Sequence, residues 1–542
     1  MNCLSALERA EAISQIQKEE YDILIIGGGI TGAGILLDAT TRGLKALLVE
    51  KNDFASGTSS KSTKLIHGGL RYLKQLDLAL VREVGRERAV LYRNAPHLVI
   101  PERMLLPLIV GGSFSKFMSR IGLAIYDIFA SVKPGEKKKM LSKEETLALE
   151  SGLNEEILLG GALYSEYRTD DSRLTLEVIK TACNLGGVAI NYTAFTKFNY
   201  DNDQINGISA IDTMSDNSFQ LKAKQVINAA GPWVDEIREN DGDLGVKKLH
   251  LTKGVHIVIP RNKLPIHQSI YFDAGDGRMI FTIPRGGATY IGTTDTNYSG
   301  DLNAVRVSKE DVNYLITAVK KMFPATDLSV EDIISSFAGI RPLIHQEGKA
   351  PGQISRRDEI FITDSRLLSI AGGKLTGYRK MAKKVTDMAM ERLVNEFNYK
   401  HISCQTRFVV LQGGDISDIG AFKSDLEKSL SGMGISEDQA FYLTHTYGSQ
   451  SLKILAELNG EDKEIALAIA EMNYTIRFES VHTLLDFFIR RTGRLFFDPL
   501  SIEKLLEPVA KKTASLLKWN EERIDKEIQS VKLALKEIVQ FD

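Results

Sequence analysis

Residues 21–34 read YDILIIGGGITGAG, and this stretch predicts the fold of the chain. Residues 21–26 are mostly apolar and predict a buried strand, and the glycines that follow predict a sharp turn into a helix. The spacing Gly27-x-Gly29-x-x-Gly32 is that of an adenine-dinucleotide fingerprint. Its three glycines allow the tight turn, the close approach of a pyrophosphate and the contact between helix and strand. The phosphates then lie at the helix N-terminus, where unpaired amides and the dipole favour negative charge.

The next predicted strand, residues 44–49, ends at Glu50. An acid about 20 residues after the glycines is placed to hold an adenosine ribose hydroxyl. Glycines alone fit a glycine-rich turn in a buried loop just as well. The order of strand, glycines, helix, strand and acid favours the dinucleotide site.

The composition sets the class of protein. A chain of 542 residues predicts two or three domains. Its 43% hydrophobic and 25% charged residues are typical of a globular protein. A net charge of -2 argues against general nucleic-acid binding, because no global positive field collects phosphates. The three cysteines have no CxxC spacing, so neither a disulfide framework nor a zinc site is predicted, which fits a reducing cytoplasm.

Membrane contact is expected to be peripheral. Residues 1–20 lack the basic start and the apolar core that are typical of a signal peptide. No apolar run approaches the roughly 18 residues that a membrane-spanning helix needs. Residues 114–129 predict a helix with one apolar face, followed by lysines at 133 and 137–139. This helix either lies on an anionic membrane surface or packs on the core, and both readings stay open.

Three distant segments extend the dinucleotide site. After Glu50, the loop TSSKS at 58–62 offers hydroxyls and amides to a pyrophosphate, although it also fits an ordinary Ser/Thr-rich surface loop. The motif NAAGPW at 228–233 ends a predicted strand in small residues. The motif GGKLT at 372–376 puts Lys374 at a helix N-terminus, where the helix dipole disfavours a positive charge. This placement favours a lysine that binds a ligand over an ordinary surface lysine after a turn. A site built from separate segments favours FAD over a dissociable nicotinamide cofactor.

Two further regions have other patterns. Residues 250–324 alternate apolar and polar side chains and predict an antiparallel sheet that roofs a substrate. From about residue 398, amphipathic segments predict a separate helical domain. Arg490, Arg491 and Arg494 form a basic cluster there, whose target the sequence does not identify; a solvated helix end also accounts for it.

The predicted fold class is α/β: a Rossmann-like FAD-binding domain with an antiparallel-sheet substrate domain and an all-helical C-terminal domain. The FAD-binding domain is expected to be discontinuous, over residues 1–95, 155–250 and 335–397. The substrate or cap domain takes residues 96–154 and 251–334, and the helical domain takes 398–542.

The chain resembles the FAD-dependent, respiratory-type glycerol-3-phosphate dehydrogenases. The resemblance is carried in order by GGGITGAG, TSSKSTKLIHGGLRYL, NAAGPW, KGVHIVIP, IGTTDT, GIRPL, the Arg357-Asp358 pair and GGKLTGYRK, and continues with EMNY and FIRRTGRL. It implies oxidation of sn-glycerol 3-phosphate to dihydroxyacetone phosphate, with electrons passed from FAD to a membrane quinone. Independently of the resemblance, we expect a cytoplasmic protein associated peripherally with the inner face of the cell membrane. A homo-oligomer is one option that the sequence leaves open.

The resemblance implies that the substrate site is lined by Arg71, Tyr72, His256, Arg341, Arg357 and Lys374. Here two arginines, Arg356 and Arg357, separate Ser355 from Asp358, where the family pattern has one; we take the arginine next to the acid. The residues expected to contact FAD are Gly27, Gly29, Thr31, Gly32, Glu50, Thr58, Ser59, Ser60, Gly231, Gly373 and Thr376.

The chemistry of the residues agrees with this resemblance. FAD supplies the hydride acceptor, and guanidinium groups bind phosphate bidentately, so Arg341 and Arg357 with Arg71 are the expected phosphate clamp. His256 is the preferred base, with a structural histidine as the alternative. Lys374 either polarises the developing ketone or holds the anionic edge of the flavin.

Other functions remain open. A glycerol-3-phosphate oxidase shares the first half-reaction and returns electrons to oxygen. An amine or amino-acid oxidase, or a flavin-containing binding or RNA-modification scaffold, can use the same glycine turn. The cations favour a phosphate substrate, and the near-neutral charge weighs against RNA.

Overall fold

The computed structural model of the chain describes residues 2–66, 78–114, 138–242, 248–344, 358–372 and 374–542. The predicted helix at 114–129 lies outside the described residues, apart from Phe114.

The first sheet is the dinucleotide-binding sheet. Its parallel centre places Glu20–Ile26 between Asn217–Asn228 and Ala46–Val49. Val188–Ile190 continues it at one edge and Leu368–Ala371 at the other. The remaining strands are antiparallel additions: Thr193–Asp201, Gln204–Asp212 and Glu359–Ile362. Because the central strands are parallel, their carboxyl ends meet at one edge of the sheet, where doubly wound folds bind their ligands.

Helices cover this sheet and bury its apolar strands. Ile30–Thr41 follows the glycine turn and packs against Asp171–Asn184 and Tyr378–Phe397. Every residue of 21–26 is buried, as the apolar run predicted. Parallel strands with both faces covered read as continuous apolar runs, which is why this strand was visible in the sequence.

The second sheet is mostly antiparallel. Its long pairs are Ile100–Ile109 with Leu158–Arg168, and Leu249–Pro260 with Ser335–Ile344. The other strands are Leu65–Ile66, Lys139–Leu141, Ser269–Asp273, Met279–Arg285, Ala288–Gly292 and Thr296–Asn297. Helix Lys309–Met322 packs on one face through the apolar side chains of the core.

The two sheets divide the chain differently from the predicted domain bounds at three places. Leu65–Ile66, Leu158–Arg168 and Ser335–Ile344 lie in the second sheet, although all three fall within the stretches expected to build the FAD-binding domain. Ser335–Ile344 pairs along its whole length with Leu249–Pro260. Alternation shows that such a strand has a buried face, but it does not show which sheet supplies the neighbour.

The C-terminal region is helical, as predicted. Among the described residues its helices are Ile419–Ser431, Glu437–Tyr447, Ser451–Leu455, Lys463–Phe478, Arg494–Phe497, Pro499–Leu517 and Glu521–Glu537, with a π-helical turn at Asp486–Arg491. The helices from Lys463–Phe478 onward share a core with the second sheet, in which the rings of Phe337 and Phe496 pack at a tilt with centroids 4.9 Å apart. The three helices before them pack against Lys463–Phe478 in a separate core. The other described helices are Arg9–Ile16, Leu78–Asn94, Lys143–Leu149 and Val234–Glu239. No helix in the described part of the chain is long and apolar enough to cross a membrane.

Candidate active site

The glycine turn has the geometry that the fingerprint predicts. Gly27 has φ +115°, and a Cβ there would lie 2.6 Å from the carbonyl oxygen of Ala229, directly after the neighbouring strand. A Cβ on Gly32 would lie 1.9 Å from the carbonyl oxygen of Gly27. Both positions therefore require glycine, the first for the turn and the second for helix contact.

Glu50 lies beside this turn at the end of its strand. Its Oε2 accepts from the backbone N–H of Gly28 at 2.6 Å, and its Oε1 accepts from the N–H of Asn52 at 2.9 Å. Burial raises the pKa of Glu50, while the two amide donors act to lower it. The carboxylate is therefore held in place by backbone before any ribose arrives.

The hydroxyl-rich loop contributes one side chain to the helix start. Ser59 Oγ accepts from the N–H of Ile30, the first residue of the helix, at 2.9 Å. By contrast, Thr58 donates its hydroxyl to the carbonyl of Ile340 at 2.6 Å, and Ser60 donates to the carbonyl of Gly57 at 3.4 Å. Ser59 is thus placed at the N-terminal end of the helix, and the contacts of Thr58, Ser59 and Ser60 with a pyrophosphate stay predictions.

A single cavity of about 1300 Å³ begins at the glycine turn and extends to the second sheet. It is larger than the roughly 300–1,000 Å³ of ordinary small-molecule sites, as a site for a dinucleotide and a substrate must be. The predicted residues that line it are Gly27, Gly29, Thr31, Glu50, Thr58, Ser59, Gly231, Arg341, Lys374 and Thr376. The glycine turn, the carboxylate of Glu50 beside it and the helix start fit FAD.

Gly231 and Lys374 reach this cavity from the ends of two strands of the first sheet. Gly231, at φ +58°, follows Asn217–Asn228, and Lys374 follows Leu368–Ala371 and Gly372, which has φ +83°. Thr376 is buried in the 3-10 turn Leu375–Gly377 that leads into the next helix. Four predicted residues, Arg71, Tyr72, Arg357 and Gly373, lie outside the described residues.

The end of the cavity at the second sheet is built on one face of two paired strands. Gly254 lies opposite Gly339, and His256 lies opposite Phe337. Since side chains alternate along a strand, Gly254 and His256 point to the same side as Arg341. A Cβ on Gly254 would lie 2.2 Å from Nη2 of Arg341, so the missing side chain makes room for the guanidinium group.

Three groups from the segment IGTTDT hold Arg341. Its Nη2 donates to Oγ1 of Thr293 at 2.8 Å, and its Nη1 donates to the carbonyl of Thr294 and to Oδ1 of Asp295, both at 3.2 Å. The motifs KGVH, IGTTDT and GIRPL, which are far apart in sequence, therefore build one arginine site. Pairing with Asp295 fixes the position of the guanidinium group, which lies beside the cavity.

His256 lies behind the cavity wall and does not line it. The imidazole is 1% exposed and stacks on Phe337 with centroids 4.8 Å apart. Its Nε2 lies 3.0 Å from Oγ1 of Thr63, which does line the cavity. Burial lowers the pKa of His256 to about 3, helped by the charges of Arg341 and Lys64. The ring is therefore neutral at pH 7, and the same burial makes it a weaker base than an exposed imidazole.

The structure adds Lys61 and Thr63 to the cavity wall, although neither was predicted as a site residue. Burial lowers the pKa of Lys61 to about 8, with a contribution from the charge of Arg490. The signal was present in the hydroxyl-rich loop TSSKST, but only its neighbouring hydroxyls were assigned a role.

The basic cluster near the C-terminus now has partners. Arg491 is fully buried and pairs with Asp53, and Arg494 pairs with Glu471. The reading of this cluster as a solvated helix end is therefore wrong. A run of arginines on a helix does not reveal whether acids from another domain face it.

Known proteins resemble the chain over its whole length. The family described as FAD dependent oxidoreductase matches residues 22–374, and the C-terminal domain of alpha-glycerophosphate oxidase matches residues 404–524. An aerobic glycerol-3-phosphate dehydrogenase of Staphylococcus aureus (strain USA300) is 47% identical, and the match covers 98% of both chains.

Solved structures agree with this likeness. A glycerol-3-phosphate dehydrogenase from Bacillus halodurans complexed with FAD is 40% identical, covers 99% of each chain and superposes with a TM-score of 0.84. An L-alpha-glycerophosphate oxidase from Mycoplasma pneumoniae with FAD bound is 22% identical and has a TM-score of 0.54, over 71% of this chain and 97% of its own. The second likeness shows the fold alone. The predicted fold class and the FAD cofactor are confirmed.

Proposed function

The chain belongs to the FAD-dependent oxidoreductases and, within them, to the glycerol-3-phosphate dehydrogenases, and on that premise we propose that it oxidises sn-glycerol 3-phosphate to dihydroxyacetone phosphate and passes the electrons to a membrane quinone. FAD supplies the hydride acceptor. The chain's residues bind and orient the substrate and take its proton.

One observation carries this proposal: the cavity that begins at the glycine turn also contains the anchored arginine of the second sheet. A substrate held by Arg341 is therefore in the same enclosed space as the cofactor site. An alcohol must lie against a flat hydride acceptor to be oxidised, and a shared cavity provides that proximity. A dinucleotide site and an anion site in two separate cavities would not bring the alcohol close to the hydride acceptor.

Arg341 is the proposed phosphate ligand. Its guanidinium group has several N–H donors in a planar fork, which matches the oxygens of a phosphate. Thr293 and Asp295 hold the group from one side, so little conformational freedom is lost when the phosphate binds. Arg71 and Arg357 are proposed to complete the clamp. Lys374 stays the candidate for the developing ketone oxygen or the anionic edge of the flavin.

His256 is the proposed proton acceptor, and it acts through Thr63. The Thr63 hydroxyl can take the proton of the substrate's secondary hydroxyl while it passes its own proton to Nε2 of His256. The 3.0 Å separation of these atoms permits this transfer.

The electron acceptor separates the proposal from its alternative. A quinone requires access to a membrane surface, and peripheral association with the inner face of the cell membrane is part of the proposal. An oxidase that releases hydrogen peroxide is the second candidate. The chain shares its fold with the Mycoplasma L-alpha-glycerophosphate oxidase. An oxidase of this kind would reduce FAD by the same half-reaction.

The test is an anaerobic titration of the FAD-loaded protein with glycerol 3-phosphate, in which the flavin absorbance is monitored. Bleaching supports the substrate, and reoxidation by a short-chain quinone faster than by air-saturated buffer supports the quinone. Peroxide equal to the substrate oxidised would select the oxidase. Bleaching by amino acids or amines, but not by glycerol 3-phosphate, would overturn the substrate proposal. Glycerol itself is the matched control, because it has the same secondary alcohol without the phosphate.

A further inference from the structure

The loop between Glu50 and the hydroxyl-rich segment is held from two sides. Toward the glycine turn, the N–H of Ala55 donates to the carbonyl of Gly28 at 3.0 Å. The ring of Phe54 is fully buried there, and a Cβ on Gly28 would lie 2.9 Å from its Cδ1. The conformation of residues 53–56 is therefore coupled to the cofactor turn by backbone and by packing.

On its other side the same loop meets the C-terminal domain through Asp53. Nη1 of Arg491 lies 2.7 Å from Oδ2 of Asp53, and Nη2 of Arg491 lies 2.8 Å from Oδ1, which is a bidentate pair. Nε of Arg490 donates to the same carboxylate. Asp53 is 1% exposed and Arg491 is fully buried, so water does not compete for these contacts.

The arginines are themselves fixed on the C-terminal side. Nη2 of Arg490 donates to Oδ1 of Asp486 at 2.7 Å, and Nη2 of Arg491 donates to the carbonyl of Glu479 at 2.6 Å. Both arginines lie in the π-helical turn Asp486–Arg491, a wide form of helix that is frequent at functional sites. Two arginines and two aspartates here balance in charge, which a buried cluster requires.

Stability alone does not account for this cluster. Buried ion pairs often contribute little net stability, because desolvation offsets the attraction, and apolar side chains could fill the same interface. A bidentate pair does fix the position of the carboxylate, and the backbone attached to it. The part of the FAD-binding domain fixed in this way is the loop that packs on Gly28.

We propose that Arg490 and Arg491 are positioning residues for FAD: through Asp53 they let the C-terminal domain hold the loop at residues 53–56 against the glycine turn in its cofactor-binding shape. This inference rests on the FAD binding of the proposed function but not on its substrate. It gives the helical domain a direct part in cofactor retention.

The test compares Arg490→Lys and Arg491→Lys with Arg494→Lys. Arg494 is a matched control, because it lies three residues after Arg491 and pairs at 2.8 Å with the buried carboxylate of Glu471. Both members of this pair belong to the C-terminal domain. FAD is removed, and the dissociation constant of the apoprotein for FAD is measured by flavin fluorescence well below the unfolding temperature. The rate of FAD release from the intact holoenzyme is measured alongside.

Arg490→Lys and Arg491→Lys are expected to weaken FAD binding about tenfold, or about 1.4 kcal/mol, and to speed release, while Arg494→Lys leaves both near wild type. Arg490→Gln, which removes the charge, should weaken binding more than Arg490→Lys. If Arg491→Lys does not fold, Arg490→Lys decides, because that side chain is 11% exposed and its replacement keeps the charge.

Lowered thermal stability with an unchanged FAD dissociation constant would overturn the proposal, as would equal loss of FAD affinity in Arg494→Lys. A substrate other than glycerol 3-phosphate would leave these binding measurements unaffected, so the two proposals fail independently.

Discussion

Replacing Gly254 by alanine should displace the proposed phosphate ligand without unfolding the protein. The new Cβ would lie 2.2 Å from Nη2, 2.5 Å from Cζ and 2.6 Å from Nη1 of Arg341. Ordinary contacts between such atoms are about 3.5–4.0 Å, so the guanidinium group must move by about 1 Å or more. Its bonds to Thr293 and Asp295 and its place beside the cavity are lost together.

The effect on activity follows from the lost contact with the phosphate. A hydrogen bond to a charged group contributes about 1.5–3 kcal/mol, which predicts that kcat/KM for glycerol 3-phosphate falls about 10- to 150-fold. The effect on stability should be small. The atoms displaced are the far end of a flexible side chain, and alanine in an extended strand reduces the entropy of the unfolded chain.

The assay is quinone reduction over a range of glycerol 3-phosphate concentrations, together with thermal unfolding and the FAD content of the purified protein. Gly287→Ala is the matched control, because a Cβ there would meet nothing within 4 Å. A folded, FAD-loaded Gly254→Ala protein with wild-type kcat/KM would refute the reasoning, since Arg341 would then be displaced without consequence for the substrate.

Three other changes test the site. Glu50→Gln leaves one of the amides of Gly28 and Asn52 facing an NH2 group, so the dissociation constant for FAD should rise about tenfold in a fluorescence titration. Gly27→Ala combines φ +115° with a Cβ 2.6 Å from a carbonyl oxygen, and the unfolding temperature should fall by several degrees or the apoprotein should not fold. Burial lowers the pKa of His256 to about 3 in the folded protein. Between about pH 6.5 and 3 only the unfolded chain therefore binds a proton at this residue, and the free energy of unfolding should decrease as the pH is lowered through this range. Urea unfolding should show a smaller fall in His256→Gln; an equal slope would exclude this cause.

The role of His256 shows how far residue type alone can lead. The motif GVHIVIP marked a histidine on a strand, and its role as a base stays a prediction. The sequence did not show that Thr63 stands between this ring and the cavity. Thr63 and His256 are close only because the second sheet brings its strands against the hydroxyl-rich loop.

Arg490 and Arg491 give the opposite case. Their sequence pattern predicted only a basic helix, and their partner Asp53 lies in the loop that follows Glu50. Ion pairs between such distant residues leave no local periodicity, because helix and strand patterns report only on neighbours within one element.

The sequence by itself determined the dinucleotide site, the helical character of the C-terminal region and the candidate cations. Gly27, Gly29, Gly32 and Glu50 act within one strand–turn–helix–strand unit, so their spacing is enough to predict their geometry. Only the tertiary structure decided that Ser335–Ile344 joins the second sheet, that Gly254 makes room for Arg341, and that Asp53 is held from the C-terminal domain. Each of these depends on which distant surfaces pack together, and packing is decided by the shape and burial of the whole chain.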